Sequence, residues 1–518
     1  MSIEALRMVG ITKVYPNGVV ANSDVNFSVN KGEIHALSGE NGAGKSTLMK
    51  MLFGEEQPSK GDIYINGEKI VLKDSNAAIK MGIGMVHQHF MLLPSLTVLE
   101  NMILGAETKR GFVLDMGKAK SLVNDLSEKY NLIVPLDEKV RDLSVGQKQK
   151  VEILKALLHG AKILILDEPT AVLTPQETAE LFHELKKLRE DGYTIIFISH
   201  RLDEVKELCD RITILRHGHT IGVYNIADVS KEDISRLMVG RDVMLQIDKK
   251  KANLGEPIIF VKDLIVNNEL GQRMINGVSF NGHRGEILGI AGVEGNGQSE
   301  LIDVLSGNSE YLGGSIAVMG RDIKKMSIHE IRHLKVSYIP EDRMTVGSVG
   351  RMSIAENLIA DKSDSPTFTR KFGAIKRDAI QQFGKRMIER FQILCKGPDT
   401  TVESLSGGNI QKVVLARELS SNPDILLADQ PTRGVDVGAA EFIRKELVQL
   451  RDENHFILLV SSDLNELLGL SDRLIVLYKG KITAFFSDTS AVTEESLGRF
   501  MLGVETMNAE KIRRTEML

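Results

Sequence analysis

The sequence Gly39-Glu-Asn-Gly-Ala-Gly-Lys-Ser46 lies between a strand-like apolar segment at 33–37 and a helical segment at 46–53. Glycines at this spacing let backbone N–H groups close around phosphate oxygens, and the N-terminus of the following helix adds positive potential. The lysine is expected to pair with the β- and γ-phosphates, and the Ser46 hydroxyl to ligate Mg²⁺. The stretch therefore predicts a P-loop. Its expected phosphate-contacting residues are Gly39, Asn41, Gly42, Gly44, Lys45, Ser46 and Thr47.

A second apolar run, Ile163-Leu-Ile-Leu-Asp167-Glu168, ends in two carboxylates. Acids at the end of a strand near a P-loop hold Mg²⁺ and activate water. We expect Asp167 to act on the metal, normally through water, and Glu168 to polarise the attacking water as a general base. The structural alternative is that the two acids only cap the helix that follows.

The chain repeats these features. The segment Lys31–Ser46 is echoed by Arg284–Ser299, and Leu143–Gln147 is echoed by Leu405–Asn409. A repeat this long exceeds the period of solenoid proteins, so it predicts two whole domains with separate cores. Strand-like runs alternate with helical patterns in each half, which predicts a mainly parallel sheet between helices. The predicted organisation is domains at 1–240 and 258–504, a solvated linker at 241–257 and a tail at 505–518.

Composition limits the classes of partner. The chain has 518 residues, more than one hydrophobic core usually supports, and its net charge of -5 gives no overall basic field for nucleic acid. Cys209 and Cys395 lie in different halves without metal-type or redox-type spacing, which fits a reducing compartment. No apolar run reaches the ~18 residues of a membrane helix, and the N-terminal segment does not resemble a signal peptide. We therefore expect any membrane association to depend on partner proteins.

The segment Leu143-Ser-Val-Gly-Gln147 precedes an amphipathic helical pattern and, considered alone, is an ordinary helix N-cap. Because it lies between a P-loop and an acidic strand end and is repeated, the set of motifs resembles the ATP-binding-cassette family over nearly the whole chain. The resemblance implies an α/β fold of two tandem cassettes, each a P-loop NTPase domain with a mainly parallel sheet, an antiparallel β portion and a helical subdomain. It also implies ATPase activity, with ATP and Mg²⁺ as cofactors.

The same resemblance assigns further roles. Tyr15 is expected to stack on adenine, Gln88 to contact Mg²⁺ and report the γ-phosphate, and His200 to touch the γ-phosphate. Cassettes of this family close head to tail, so each ATP lies between the P-loop of one cassette and the signature loop of the other. The loop residues expected to reach nucleotide in this way are Ser406, Gly407 and Gly408 at the first site and Ser144 and Gly146 at the second.

The second half departs from the cassette pattern. Gln298 stands opposite Lys45, and Gln430 stands opposite Glu168. Glu341, Ser462 and Asn268 replace the glutamine, histidine and tyrosine of the first half. Our hypothesis is that the second site holds nucleotide through Gln298 and Ser299 with little turnover, while the first site performs the hydrolytic cycle.

More narrowly, the chain resembles double-cassette subunits of simple-sugar and ribonucleoside importers. The segments Met85–Phe90, Pro169–Thr174 and Gly289–Leu301 favour the nucleoside branch, with a ribose, galactose or xylose importer as the alternative. A remote alternative is a ribosome-associated double-cassette translation factor, although such proteins carry a long basic linker and catalytic glutamates in both halves.

The importer resemblance also implies partners. These are two integral-membrane permease subunits and, indirectly, an extracytoplasmic solute-binding protein, with no nucleic acid and with the chain at the cytoplasmic face of the membrane. The segment 89–96 is expected either to receive a permease helix or to be core. Its counterpart at 341–352 has a more polar, glycine-rich composition.

Overall fold

The computed structural model describes residues 3–16, 18–87, 90–105, 107, 109–110, 113–170, 173, 175–199, 201–241, 249–268, 270–370, 373–508 and 510–512. The chain separates into two compact units, Met1–Val243 and Met244–Leu518. Within the described ranges, no helix is both long and apolar enough to cross a bilayer.

The first unit contains an antiparallel sheet, a mainly parallel sheet and a helical part. In chain order its elements are β1 Glu4–Val14, β2 Val20–Asn30, β3 Ile34–Ser38, α1 Lys45–Leu52, β4 Lys60–Ile65, β5 Glu68–Ile70, α2 Ser75–Lys80, β6 Ile83–Val86, α3 Val98–Ile103, β7 Lys109–Arg110, β8 Val113–Leu114, α4 Met116–Tyr130, α5 Val145–Leu158, β9 Ile163–Asp167, α6 Pro175–Glu190, β10 Thr194–Ile198, α7 Leu202–Leu208, β11 Arg211–Arg216, β12 His219–Asn225 and α8 Lys231–Val239.

Among these described elements, one sheet has the order β2-β1-β4-β5 and the larger sheet has the order β12-β11-β3-β10-β9-β6. Strands β11, β3, β10, β9 and β6 are parallel, and β12 adds as an antiparallel edge. Strands β3, β9 and β10 are buried along their whole length. Continuous apolar strands of this kind occur where both faces of a parallel sheet are covered, which explains the uninterrupted runs in the sequence.

The second unit repeats the first. Its elements are β13 Pro257–Asn267, β14 Arg273–His283, β15 Glu286–Ala291, α9 Gln298–Ser306, β16 Gly313–Val318, β17 Arg321–Asp322, α10 Ile328–His333, β18 Val336–Ile339, α11 Ile354–Leu358, α12 Arg377–Arg390, α13 Gly407–Leu419, β19 Ile425–Asp429, α14 Val437–Asp452, β20 Phe456–Val460, α15 Leu464–Leu470, β21 Arg473–Tyr478, β22 Lys481–Phe486 and α16 Glu494–Met501.

The described strands of the second unit form sheets of order β14-β13-β16-β17 and β22-β21-β15-β20-β19-β18, the same arrangement as in the first unit. The predicted fold class, two tandem α/β domains with parallel and antiparallel parts, is therefore confirmed.

One lysine of the linker predicted at 241–257 is not solvated as expected. The Nζ of Lys249 donates to the carbonyl oxygens of Leu470 at 2.7 Å and Ser471 at 2.6 Å, and to Asp472 at 3.0 Å. Two carbonyls and a carboxylate replace the water that this ammonium group loses, which is why it can be partly buried.

Candidate functional site

The candidate site of the first unit lies at the carboxyl edge of its parallel sheet. Strands β3, β10 and β9 are neighbours, and they end at Ser38, Ile198 and Asp167. Loops that follow parallel strands meet at one edge, where ligands bind in open α/β sheets. The fold therefore brings the P-loop and the acidic strand end together, although more than a hundred residues separate them in the sequence.

The P-loop wraps around the amine of its own lysine. Lys45 is only 7% exposed, and its Nζ donates to the carbonyl oxygens of Gly39 at 2.6 Å and Glu40 at 3.0 Å. The Ser46 side chain is exposed in the first turn of α1. The loop thus holds a cation inside a ring of backbone atoms, with a hydroxyl next to it at the start of a helix.

Two glycines of the loop have no space for a side chain. A Cβ on Gly39 would lie 2.3 Å from the carbonyl oxygen of Leu215. Gly44 has φ of 97°, and its Cβ would lie 2.4 Å from the carbonyl oxygen of Ala21. Gly42 also has a left-handed φ, 84°, but it has no crowding atom within 4 Å.

We expect Gly44→Ala to destabilise the fold and to weaken ATP binding, because alanine meets both an unfavourable φ and a backbone clash. Gly32→Ala is the matched control, since Gly32 has φ of 70° and nothing within 4 Å of the added Cβ. Gly32→Ala carries only the left-handed cost of about 1–2 kcal/mol. Thermal unfolding and equilibrium nucleotide binding measure both variants, and equal effects of the two substitutions would contradict the clash.

Tyr15 and Thr47 meet beside the P-loop helix. The Tyr15 hydroxyl lies 3.5 Å from Thr47 Oγ1, and the amine of Lys13 lies 5.2 Å from the centre of the tyrosine ring. The ring is half-buried. An aromatic face beside the first turn of α1 is consistent with the adenine-stacking role that remains a prediction for Tyr15.

Asp167 is a buried carboxylate at the end of β9. Burial raises the pKa of Asp167 to about 6, the neighbouring Glu168 adds to this increase, and the nearby side chains of Lys45, His87 and Lys50 oppose it. A cation bound next to this buried carboxylate would stabilise its charged form. Carboxylate and hydroxyl oxygens are the donors that Mg²⁺ prefers, so Asp167 and Ser46 fit such an ion.

Glu168 has a left-handed backbone with φ of 49°. Its N–H donates to the carbonyl oxygen of Ile198 at 2.9 Å, which ties the residue to the end of the neighbouring strand β10. Gln430, its counterpart, has φ of 48° and donates to the carbonyl oxygen of Val460 at 2.8 Å. The backbone is thus the same in both units, and the two sites differ here only in the side chain.

The second unit has glutamines at the positions of Lys45 and Glu168. Gln298 is buried, and its Nε2 donates to the carbonyl oxygen of Val293 at 3.3 Å. The side-chain oxygen of Gln430 accepts from the N–H of Ser462 at 2.9 Å and from its hydroxyl at 3.1 Å. An amide that is held in this way cannot accept a proton from water as a carboxylate does.

The structure also reveals a reversal of charge that sequence reasoning missed. Lys50, one of the cations that act on Asp167, is replaced by Asp303 at the equivalent position of α9. Burial raises the pKa of Asp429 to about 7, and Asp303 adds to this increase. The signal was available in the repeat itself, as a lysine-to-aspartate exchange five positions beyond Lys45 and Gln298.

Both signature loops begin a helix. Ser144 caps α5 through a capping box with Gln147, as its pattern predicts. Ser406 precedes α13, and its Oγ accepts from the Asn409 side-chain amide at 2.8 Å. A Cβ on Gly407 would lie 2.7 Å from the Arg343 guanidinium, so a larger residue here would displace the end of the arginine side chain.

Comparison with known proteins identifies the family. The model of the ABC transporter family matches residues 22–171 and 275–433. The chain belongs to the ABC transporter family. As an ABC ATPase it binds and hydrolyses ATP, which confirms the predicted family and enzyme class.

Curated relatives of this ABC ATPase span nearly its whole length. It is 43% identical to the nucleoside import ATP-binding protein NupA of Lactococcus lactis, covering 96% of this chain and 98% of the relative. It is 41% identical to the guanosine import ATP-binding protein NupO of Bacillus subtilis, covering 98% and 99%. It is also 40% identical to a glucose import ATP-binding protein of Haloferax volcanii, covering 96% and 95%.

The structure places most, but not all, of the predicted site residues of this ABC ATPase. Gln88 and His200 lie outside the described residues. Those that lie in or beside the first P-loop are Tyr15, Gly39, Asn41, Gly42, Gly44, Lys45, Ser46, Thr47, Asp167 and Glu168. Those of the second P-loop are Gln298 and Ser299, and those at the starts of the signature helices are Ser144, Gly146, Ser406, Gly407 and Gly408. The roles of all these residues remain predictions.

Proposed function

We propose that this chain is the ATP-hydrolysing subunit of an importer that takes up purine and pyrimidine ribonucleosides through separate permease subunits. The observation that carries the proposal is the near full-length similarity to the nucleoside and guanosine import ATP-binding proteins. A monosaccharide importer is the second candidate, favoured by the glucose import relative at 40% identity over a similar length.

We further propose that the first unit performs hydrolysis. ATP would bind with its phosphates in the P-loop, where Lys45 would neutralise part of their charge. Ser46, Asp167 and Gln88 would hold Mg²⁺, which would supply further positive charge beside the phosphates. Glu168 accepts the proton of the attacking water, and His200 contacts the γ-phosphate. Support comes from the buried lysine, the acid at the neighbouring strand end and the cations around that acid.

The second unit is proposed to bind nucleotide with little turnover. Amide side chains, Gln298 and Gln430, occupy the positions of the P-loop lysine and of the carboxylate base. Asp303 replaces a lysine beside the acidic strand end. The two cassettes, at 1–240 and 258–504 and joined by the linker at 241–257, are proposed to form a pseudo-dimer. In it, Ser406, Gly407 and Gly408 complete the first site, and Ser144 and Gly146 approach the second.

Two exposed apolar segments support the proposed permease contacts. Met91 and Leu93 are 60% and 47% exposed, so they do not belong to the core. In the second unit, Met344 and Val346 are 40% and 62% exposed. These two side chains are exposed within a segment whose composition is more polar and glycine-rich than that of its counterpart in the first unit. Each segment is proposed to receive a different permease chain at the cytoplasmic face of the membrane, with an extracytoplasmic solute-binding protein acting indirectly.

We expect Met91→Asp to lower transport strongly, by weakening the binding of the permease, while leaving the basal ATPase activity of the isolated chain intact. A charge at the centre of an apolar contact costs about 2 kcal/mol or more, which is about thirtyfold in affinity. Val71→Asp is the control, because Val71 is 70% exposed in the same unit but lies in a different segment. Co-purification with the permeases and uptake into vesicles test this, and equal loss in both variants would contradict it.

The cargo is tested by reconstituting the chain with its permeases and solute-binding protein in lipid vesicles. Nucleosides are expected to stimulate ATPase activity and to accumulate inside, whereas ribose, galactose, xylose and glucose are expected to do neither. Stimulation by a sugar alone would favour the second candidate. Stimulation by ribosomes instead would support a translation factor.

A further inference from the structure

A buried carboxylate joins the two loops that follow strands β9 and β10. Glu204, in α7, is 6% exposed. Its Oε2 accepts from the hydroxyl of Thr170 at 2.7 Å and from the hydroxyl of Ser199 at 2.8 Å. Both hydroxyl-bearing residues are themselves 2% exposed. One carboxylate oxygen therefore holds two loops together away from water, where such bonds are strong and costly to lose.

The joined loops are those of the proposed reaction centre. Thr170 lies two residues after Glu168, and Ser199 immediately follows β10. The N–H of Glu168 already donates to the carbonyl oxygen of Ile198 at 2.9 Å. The clamp of Thr170, Glu204 and Ser199 adds a second tie between the same two strand ends, just beyond the first.

The backbone of Glu168 explains why a second tie matters. Its φ of 49° is unfavourable for a residue with a side chain, and such a conformation persists only where the surroundings enforce it. The N–H of Glu168 ties this residue to β10 on one side, and the clamp anchors the chain on the other side of Pro169. Movement of the peptide between these two ties would move the carboxylate, so the clamp restricts that movement.

We propose that Glu204 is a positioning residue for ATP hydrolysis, which acts through Thr170 and Ser199 to keep the carboxylate of Glu168 in line with the attacking water. This inference rests on the proposed role of Glu168 as the general base. The role proposed for Glu204 is therefore indirect and requires no contact with ATP. Its partly exposed neighbour Arg201 pairs with the remaining oxygen at 3.2 Å.

The second unit contains a related clamp that uses both oxygens of its glutamate. Glu466 Oε1 accepts from the Thr432 hydroxyl at 2.7 Å and from Arg444 Nε at 3.0 Å, and Glu466 Oε2 accepts from the Ser461 hydroxyl at 2.7 Å. The residue two positions before Thr432 is Gln430, which cannot serve as a base. A clamp that only stabilises the fold is needed equally in both units, whereas a clamp that positions a base affects turnover only in the first.

The test compares Thr170→Val with Thr432→Val in the full-length chain. Valine keeps the shape of threonine and removes the hydroxyl that donates to the glutamate. For Thr170→Val we expect a loss of kcat of about tenfold to a hundredfold, the effect of a small misplacement of a reacting group, with the KM for ATP unchanged. For Thr432→Val we expect a similar change in thermal unfolding but no loss of kcat.

A second pair of variants distinguishes a loss of positioning from a loss of folding. Because both hydroxyls donate to one oxygen, Glu204→Gln can keep both bonds through its carbonyl, whereas Glu204→Ala loses them. We expect Glu204→Gln to retain most of the turnover that Glu204→Ala loses. Equal losses of kcat in Thr170→Val and Thr432→Val, or none in either, would overturn the proposal, as would equal losses in the two Glu204 variants.

Glu168→Gln is measured in the same series to distinguish a failure of the clamp proposal from a failure of the role proposed for Glu168. If Glu168→Gln keeps its turnover, the proposed role of Glu168 is wrong and the clamp proposal is overturned with it. If Glu168→Gln loses turnover while Thr170→Val keeps it, only the clamp proposal is overturned.

Discussion

Glu168→Gln is expected to lower ATP turnover by about 10²–10⁴-fold, the contribution of a general base that an amide cannot replace. Nucleotide binding should change little, because the substitution leaves the P-loop, Lys45 and Asp167 in place. Steady-state hydrolysis by the full-length chain gives kcat, and equilibrium binding of ATP shows that the site still fills.

The second unit supplies a control for this substitution. Gln430 already has the amide and the same left-handed backbone, with φ of 48° against 49° for Glu168. Gln430→Ala removes an amide that accepts from Ser462 and is expected to leave turnover within about twofold, as most substitutions away from a reacting group do. Retention of wild-type kcat by Glu168→Gln would contradict the assignment of hydrolysis to the first unit.

The parts of the site that depend on local backbone could be predicted from the sequence. The P-loop is a run of eight residues whose glycines must adopt particular conformations, and the structure gives Gly42 and Gly44 the left-handed φ that such a loop requires. The two strand ends could be placed together because parallel strands share one carboxyl edge. The presence of two domains of the same fold could be predicted because the motifs occur twice in the sequence.

Contacts between side chains far apart in sequence could not be predicted in this way. Glu204 lies 34 residues from Thr170, and nothing in the local pattern around either indicates the bond between them. The exchange of Lys50 for Asp303 is visible in the repeat. Its effect on the pKa of Asp167 and Asp429 follows only from the position of these side chains near the strand ends in the fold. The composition of the segment at 341–352 does not indicate which of its apolar side chains are exposed, as Met344 and Val346 are.

Lys45→Gln reproduces in the first unit the residue that the second unit carries as Gln298. We expect it to weaken ATP binding by about 1.5–3 kcal/mol, the usual contribution of a hydrogen bond to a charged group, which is one to two decades in Kd.

We expect turnover of Lys45→Gln to fall as well, because the lysine is also one of the cations that oppose the raised pKa of Asp167. Without it, the pKa of Asp167 is expected to rise toward that of Asp429, which burial and the carboxylate of Asp303 raise to about 7. The loss of one amine therefore acts on the phosphates and on the acid that faces them. Lys80→Gln, at an exposed helix end, changes the net charge equally and serves as the control. Equilibrium titration with ATP gives Kd, and steady-state hydrolysis gives kcat, for both variants. A Kd for Lys45→Gln equal to that of the control would mean that the buried amine does not bind the phosphates.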